Sequence, residues 1–147
     1  MQTPASLAQA FAPADRTLPR MLQHQAARFG ERALFVAGPV RWTFADALRT
    51  AGAYGMALQR AGVQAGDRVA LLCSNRAEFM QVVLGCAWIG AVAVPVNTAS
   101  RGSQLQHILS NSGARLLVTE AEGLQAVRAL AVLNAPALPL QTIWLLD

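Results

Sequence analysis

The feature that most constrains this chain is a regular alternation, after about residue 40, between short apolar runs and longer segments with helical spacing. The apolar runs are DRVALLC (67–73), AVAVPV (91–96), ARLLVT (114–119) and TIWLL (142–146). Runs of this length that are apolar on both faces are typical of strands in parallel sheets. Because strands that alternate with helices form such sheets, we predict an α/β fold with a mostly parallel sheet and helices on both faces.

The segments between these runs carry helix start and stop signals. Helices are predicted over about 43–60, 75–89, 102–110 and 119–133, with glycine following the first three. In three of them a residue that caps helices precedes an acid by three positions, as in a capping box. These pairs are Thr43 with Asp46, Asn75 with Glu78, and Thr119 with Glu122. Asn75 is therefore interpreted as a helix cap in preference to a ligand contact.

The region before residue 43 has a different pattern. Residues 1–16 are rich in alanine and proline and are predicted to be a loose amino-terminal segment. A helix is predicted over 17–29, ended by Gly30, and the runs 33–38 and 40–44 are predicted to form a β-hairpin around Gly38 and Pro39. Residues 17–147 are assigned to one domain. Since the last predicted strand reaches Asp147 with no further element, we expect this domain to be a truncated part of a larger one.

Composition narrows the class of protein. The chain has 147 residues, of which 54% are hydrophobic and 14% charged, too apolar for a disordered protein. Part of this apolar surface is expected to meet a partner or a missing part of the fold. The net charge is +4, but all 12 basic residues are arginines spread singly along the chain. The sequence lacks the basic patch on which nucleic-acid binding depends, so we predict no nucleic-acid partner.

Cysteine usage and the amino-terminal sequence bear on metal binding and location. Cys73 and Cys86 belong to no CxxC pair or Cys/His cluster, so they are interpreted as small buried apolar residues and no metal site is predicted. The amino terminus has no signal-peptide pattern, which favours a cytoplasmic location. The longest apolar run, 82–96, is interrupted by two glycines and a proline, so no membrane span is predicted.

Several common catalytic motifs are missing. The sequence contains no GxxxxGK[ST] loop, no GxGxxG and no GxSxG. His24 and His107 are isolated, and His107 is interpreted as a helix-surface residue. The absence of lysine means that no lysine of these 147 residues can neutralise a phosphate or a developing negative charge. The three tryptophans are predicted to be core or seam aromatics: Trp42, Trp88 and Trp144.

Three consecutive segments, 42–72, 73–97 and 98–120, carry a resemblance to a known family. They contain WTFAD, then GVQAGDRVA, then GAVAVPVN, and finally SGARLLVT. In this order and spacing they resemble the N-terminal part of the adenylate-forming enzymes, which include acyl-CoA synthetases, aryl-CoA ligases, luciferases and peptide-synthetase adenylation domains. The similarity covers about residues 17–147. The NTASRG stretch, 97–102, is similar to carnitine-type and fatty-acid-transport-type ligases.

The resemblance implies a two-step reaction for the full-length family. A carboxylic acid attacks the α-phosphate of ATP and forms acyl-AMP, and the thiol of coenzyme A then displaces AMP. The family uses ATP, Mg²⁺ and coenzyme A. Its phosphate loop, of the form YTSGTTGxPKG, its ribose-binding acid and its catalytic lysine do not occur in these 147 residues. No catalytic residue is therefore predicted here, and the chain alone is expected neither to make acyl-AMP nor to bind these cofactors tightly.

Arg101 is the one candidate cofactor-binding residue. Asn97 follows the predicted strand 91–96, at the strand end where ligand crevices of open α/β sheets tend to lie. Arg101 follows Asn97 on a loop that enters a predicted helix, and the resemblance implies that a neighbouring family position lies near the nucleotide of coenzyme A. The commoner family arginine falls at the place of Ala99. The alternative is a solvated arginine at a helix start, which is the usual setting of surface arginines.

Two other functions stay open at this point. The chain could be a self-standing α/β binding or interaction module without catalysis, because its helix caps and glycine stops are locally consistent. It could also be an unrelated doubly wound nucleotide-binding domain, although the missing glycine fingerprint counts against that interpretation.

Overall fold

The computed structural model of the chain describes residues 12–132 and 137–147. The helices are α1 (Leu18–Phe29), α2 (Phe44–Arg60), α3 (Ala77–Ile89), α4 (Gly102–Ser112) and α5 (Ala121–Val132). The strands are β1 (Ala33–Ala37), β2 (Val40–Thr43), β3 (Arg68–Leu72), β4 (Val92–Pro95), β5 (Leu116–Glu120) and β6 (Thr142–Leu146). Most of the predicted loose segment 1–16, and the predicted helix end at Leu133, lie outside the described residues. Pro13–Asp15 form a short 3-10 helix.

The four apolar runs form one parallel sheet, with the strand order β4-β3-β5-β6. In its register Ala70 of β3 lies between Val94 of β4 and Leu117 of β5. Strands β1 and β2 form a separate antiparallel hairpin, and Gly38 in its turn has a φ of 55°, a conformation that favours glycine. The predicted α/β class, the parallel sheet and the hairpin are all confirmed.

Helices cover both faces of the sheet, as predicted. Because side chains alternate along a strand, each central strand contributes to two core clusters. One face packs against α2 and α3 through Leu58, Val69, Leu71, Val82, Cys86 and Val118. The other packs against α4 and α5 through Ala70, Leu72, Leu105, Leu109, Leu117 and Leu130. All of these side chains are buried.

The backbones of helices α2 and α3 approach each other closely where the helices cross, because each helix has a glycine at that point. A Cβ atom on Gly85 would lie 2.7 Å from the Cβ of Tyr54, and one on Gly55 would lie 2.8 Å from Cδ1 of Trp88. Trp42 and Trp88 pack against a third cluster, which is formed by side chains of α1, α2 and α3. Trp144 packs against the cluster between the sheet and helices α2 and α3. The tryptophans are core and seam residues, as predicted.

One of the three predicted capping boxes is present. The hydroxyl of Thr43 accepts a hydrogen bond from the backbone N–H of Asp46 at 3.1 Å, and the Asp46 carboxylate accepts one from the N–H of Thr43 at 2.8 Å. The Asn75 prediction is wrong, because α3 begins at Ala77 with Arg76 as its N-cap residue and no side-chain cap. Arg76 binds Glu78 instead, which removes the acid from the proposed box.

The Thr119 prediction is also wrong. Strand β5 continues through Glu120, and the buried hydroxyl of Thr119 donates to the carbonyl oxygen of Leu72 at 2.8 Å. Pairing with β3 therefore holds Thr119 in the sheet, and Glu122 binds Arg101 instead of closing a box. Within the described residues, every helix is too short or too polar to cross a membrane.

Candidate ligand-binding crevice

The carboxyl ends of β3 and its two neighbours form a divergence point in the fold. Helix α3, which follows β3, packs on one face of the sheet, whereas α4 and α5, which follow β4 and β5, pack on the other. Loops that leave adjacent strands towards opposite faces open a crevice between them, and ligands of open α/β sheets bind in such crevices. The topology therefore provides two such places, one on each side of β3.

The side between β3 and β4 is open and forms the carboxyl-end crevice, a cavity of about 480 Å³. Its lining comes from the two strand ends and the first turn of α3. The lining residues are Cys73, Ser74, Asn75, Phe79, Pro95, Val96, Asn97 and Thr98. None of these side chains is a carboxylate, a guanidinium or an imidazole, so the crevice presents neutral polar groups beside apolar ones. Such a surface suits an uncharged part of a ligand.

Local hydrogen bonds fix the shape of this crevice. The side-chain oxygen of Asn97 accepts a hydrogen bond from the N–H of Ala99 at 2.9 Å and so stabilises the turn after β4. Asn75 and Thr98 are exposed, while Cys73 is buried. Burial raises the pKa of the Cys73 thiol, and the Glu120 carboxylate raises it further. Cys73 is thus a neutral wall residue at pH 7, since thiolate character is what makes a cysteine reactive.

The side between β3 and β5 is filled by a group of hydrogen bonds and ion pairs, called here the Arg76 clamp. Arg76 binds the carboxylates of Glu78 at 2.8 Å and Glu120 at 3.0 Å, and it donates to the backbone carbonyl of Asp147 at 2.7 Å. Glu120 also accepts hydrogen bonds from the N–H and the hydroxyl of Ser74, each at 2.8 Å. The clamp joins the loop after β3 to the ends of β5 and β6.

The clamp keeps its two carboxylates charged. Hydrogen bonds from Arg76 lower the pKa of Glu78, and those from the backbone and hydroxyl of Ser74, followed by Arg76, lower the pKa of Glu120. Burial opposes both shifts: it is a smaller effect than the hydrogen bonds from Arg76 at Glu78, and at Glu120 it is smaller than those from Ser74 but larger than that from Arg76. Because both carboxylates are already satisfied by Arg76, they are poorly placed to serve as metal ligands.

Arg101 is the N-cap residue of α4, at the end of the loop that leaves the crevice. Its guanidinium donates to the backbone carbonyls of Thr98 and of Ser100, the latter at 2.9 Å, and to the carboxylate of Glu122 at 2.6 Å. The side chains of Arg101 and Glu122 are 46% and 81% exposed, so this ion pair is a solvated one. Its assignment as a cofactor-binding residue stays a prediction.

The histidines lie away from the crevice. His24 is in α1, and His107 is exposed on α4, as expected of a helix-surface residue. Over residues 12–132 and 137–147, the His, Cys, Asp and Glu side chains form no group of three or more that could hold a metal ion.

Sequence reasoning placed Asn97 at a strand end near a ligand crevice but missed most of the lining. Arg76 and Glu120 are 44 positions apart and meet only because Leu72 pairs with Thr119 in the register of β3 and β5. These two residues can be identified only once the order of the strands in the sheet is known, and that order is a property of the tertiary structure.

Sequence relatives point to one family. The family described as AMP-binding enzyme matches residues 22–145. A feruloyl-CoA synthase of an Amycolatopsis species is 36% identical over 103 residues, which are 68% of this chain and 21% of the relative. The long-chain-fatty-acid–CoA ligase FadD13 of Mycobacterium tuberculosis is 39% identical over 95 residues, which are 63% of this chain and 19% of that protein. The chain thus spans about a fifth of the length of these relatives.

Solved structures share the fold. A fatty acyl-CoA synthetase of Mycobacterium tuberculosis superposes with a TM-score of 0.81 at 30% identity, over 89% of this chain and 26% of that one. The anthranilate–CoA ligase AuaEII, solved with anthranoyl-AMP, superposes with a TM-score of 0.80 at 25% identity, over 92% of this chain and 26% of that one. In both, the matching region is about a quarter of the larger protein.

Proposed function

Because this chain belongs to the AMP-binding enzyme family, we propose that it forms the amino-terminal part of an ATP-dependent acid–CoA ligase. In the proposed reaction, a carboxylate oxygen attacks the α-phosphorus of ATP and pyrophosphate leaves, giving acyl-AMP. The sulfur of coenzyme A then attacks the acyl carbon, and AMP leaves as the thioester forms. The family match over residues 22–145 is the observation that carries this proposal.

The part played by these residues follows from the chemistry of the carboxyl-end crevice. Its lining is neutral, with the side chains of Ser74, Asn97 and Thr98 able to donate or accept hydrogen bonds and Phe79 able to pack against an apolar group. It therefore suits an uncharged stretch of the acid or of coenzyme A better than a triphosphate. Binding and orientation of such a stretch is the contribution that we assign to it.

The residues that line the carboxyl-end crevice do not fit ATP phosphates or Mg²⁺, because none of their side chains is charged. The sequence contains no lysine, and the carboxylates nearest the crevice, Glu78 and Glu120, are bound by Arg76. We therefore assign no step of phosphoryl or metal chemistry to these residues. The expectation follows that the 147-residue chain alone does not form acyl-AMP.

Arg101 is proposed to contact the nucleotide of coenzyme A in the complete ligase. Its exposed partner Glu122 makes a weak ion pair, and a phosphate offers the guanidinium a stronger, charge-assisted hydrogen bond. Replacing Arg101 by glutamine in a complete ligase should therefore raise the KM for coenzyme A and leave the KM for ATP unchanged. A cytoplasmic location stays a prediction.

The first test is acid-dependent ATP–pyrophosphate exchange by the purified 147-residue chain, with fatty and aromatic acids such as palmitate and ferulate. We expect no exchange above the level without acid. Robust exchange would refute the claim that the adenylation chemistry lies outside these residues.

The second test is whether this chain can replace the amino-terminal part of a ligase of the family without loss of activity. Residues 22–145 would replace the matching stretch of FadD13, and formation of acyl-CoA would be measured. We expect a soluble, active chimera. A chimera that folds, as judged by circular dichroism and a cooperative melt, yet makes no acyl-CoA would contradict the proposal.

A binding or interaction module without catalysis is the second candidate function. It is favoured by the two core clusters, which pack each face of the sheet with buried side chains. The chimera separates the candidates, because a module with an unrelated role should not restore the ligase reaction.

A further inference from the structure

One wall of the carboxyl-end crevice is a loop that needs support from outside. Ser74 lines the crevice and lies beyond the end of β3, in the loop that leads to α3. Ser74 is exposed, and α3 begins without a side-chain cap. An exposed loop without a cap keeps one shape only through contacts with other elements.

Glu120 supplies these contacts from the neighbouring strand. Its two carboxylate oxygens accept hydrogen bonds from the backbone N–H and from the hydroxyl of Ser74, each at 2.8 Å. The backbone of Glu120 is fixed in β5, because the preceding Thr119 is buried and donates to the carbonyl of Leu72. Arg76 binds one of the same carboxylate oxygens at 3.0 Å. The Glu120 side chain is only 30% exposed, so these bonds are partly shielded from water.

We propose that Glu120 is a positioning residue of the carboxyl-end crevice, which holds Ser74 in the place where it meets a ligand. Glu120 is not among the lining residues, so it acts through Ser74. This inference rests on the proposed function, because the ligand is one of the substrates of the ligase.

The same bond determines the hydrogen-bond polarity that Ser74 presents to a ligand. An ionised carboxylate only accepts hydrogen bonds, so the hydroxyl hydrogen of Ser74 is committed to Glu120. The lone pairs of the Ser74 hydroxyl oxygen are what remains for the crevice. The ligand group that meets Ser74 is therefore a hydrogen-bond donor, such as a hydroxyl or an amide N–H.

The first test measures how firmly this wall is held in the 147-residue chain. Cys73 lines the crevice and is 6% exposed, whereas Cys86 is 1% exposed in the core between the sheet and helices α2 and α3. Labelling with iodoacetamide, located by peptide mass spectrometry, therefore reports local opening at Cys73 and global unfolding at Cys86. Glu120→Ala should raise the ratio of the Cys73 rate to the Cys86 rate about tenfold. Glu120→Gln keeps one carbonyl oxygen as an acceptor and should give an intermediate ratio.

The matched control is Asp67→Ala at the amino end of the sheet. Asp67 also accepts a hydrogen bond from a backbone N–H, that of Gln64 at 2.8 Å, and also binds an arginine, Arg115 at 2.9 Å. Its loss should leave the labelling ratio at the value of the parent, because it does not touch the crevice. Equal ratios for the two alanine variants would overturn the proposal, as would a parent chain in which the ratio is already that of Glu120→Ala.

The second test separates this inference from the proposed function. In the FadD13 chimera, Glu120→Ala and Ser74→Ala should each raise the KM for the acid or for coenzyme A about tenfold, with kcat changed less than about twofold. Asp67→Ala should leave both constants unchanged. An inactive parent chimera would contradict the proposed function, and the labelling ratio would still decide the role of Glu120. An active chimera in which Glu120→Ala lowers kcat and leaves both KM values unchanged would overturn the positioning role.

Discussion

The two ends of the parallel sheet use similar charged residues but leave very different spaces. At the amino end, Asp67 binds Arg115 at 2.9 Å and the N–H of Gln64 at 2.8 Å, and Arg68 donates to the carbonyl of Ser112 at 2.8 Å. These contacts tie the strand starts to neighbouring loops and to the end of α4, and the remaining cavity is about 90 Å³. The carboxyl-end crevice is about 480 Å³.

Topology offers two crevices at the carboxyl end, and the Arg76 clamp leaves open only the one between β3 and β4. This difference between the two ends of the sheet supports the proposal that ligands bind at the carboxyl end. The Arg76 clamp closes one side of β3 much as the ion pair of Asp67 and Arg115 closes the amino end. The other side of β3 stays open because α3 and α4 leave adjacent strands towards opposite faces. At the carboxyl end, substitutions where α5 meets the sheet should therefore lower the stability of the fold. Substitutions in the crevice should instead lower the activity of the ligase.

The largest expected effect is at Gly123, where α5 meets the carboxyl ends of β3 and β5. A Cβ atom there would lie 2.2 Å from Oγ1 of Thr119 and 3.0 Å from Cγ of Leu72. Gly123→Ala should lower the free energy of unfolding by about 3 kcal/mol, the upper range for overpacking. Urea denaturation measures it. The control is Gly52→Ala within α2, where no atom lies within 4 Å of the new Cβ and a gain of up to about 1 kcal/mol is expected. Similar losses for both would contradict this packing.

A smaller loss is expected at Thr119 itself. Thr119→Val removes the hydroxyl that donates to the buried carbonyl of Leu72, and the loss of this hydrogen bond should cost about 1 kcal/mol. Thr142→Val, at a half-buried position on β6, should stay within about 0.5 kcal/mol of the parent. Equal denaturation midpoints for Thr119→Val and the parent would show that this hydrogen bond does not stabilise the carboxyl end.

The next largest effects on stability are expected at the ion pairs at the two ends of the parallel sheet. Arg76→Met leaves two carboxylates without their guanidinium: Glu78, and Glu120, which keeps its hydrogen bonds from Ser74. Arg115→Met leaves only Asp67, which keeps its hydrogen bond from the N–H of Gln64. The first change should therefore lower the free energy of unfolding more than the second. Urea melts at low and high salt compare them, and both losses should shrink in high salt because screening weakens exposed ion pairs. The reverse order would contradict the comparison.

Acid should weaken the carboxyl end through the same groups. The pKa values of Glu78 and Glu120 are lowered in the folded chain, so their stabilising contribution is present above the unfolded value of about 4.3. It is lost as the pH falls through the folded pKa values. Unfolding free energies between pH 7 and pH 3 should fall less steeply in Arg76→Met than in the parent. Identical slopes would exclude a role for the clamp in acid stability.

The fold was largely predictable because its signals are local. Apolar runs, helix spacing and glycine stops each lie within a few residues, and they indicated the strands, the layers and the hairpin. The predicted caps failed where tertiary contacts compete with local ones. Arg76 binds Glu78 and Glu120, and the pairing of β5 with β3 draws Thr119 into the sheet.

The candidate site was less predictable than the fold. Asn97 marked one strand end, but Cys73 and Phe79 enter the lining only through the strand order and the position of α3. The clamp joins residues from the ends of three strands, which a single sequence does not reveal without their register.

The most direct measurement compares the two ends in the active FadD13 chimera. Thr98→Trp would fill the carboxyl-end crevice, and Gln141→Trp would add the same side chain beside the small amino-end cavity. Both positions are exposed, so both variants should fold. We predict that Thr98→Trp lowers kcat/KM for acyl-CoA formation at least tenfold and that Gln141→Trp changes it less than twofold. Equal losses, or a loss confined to Gln141→Trp, would contradict the claim that ligands bind at the carboxyl end.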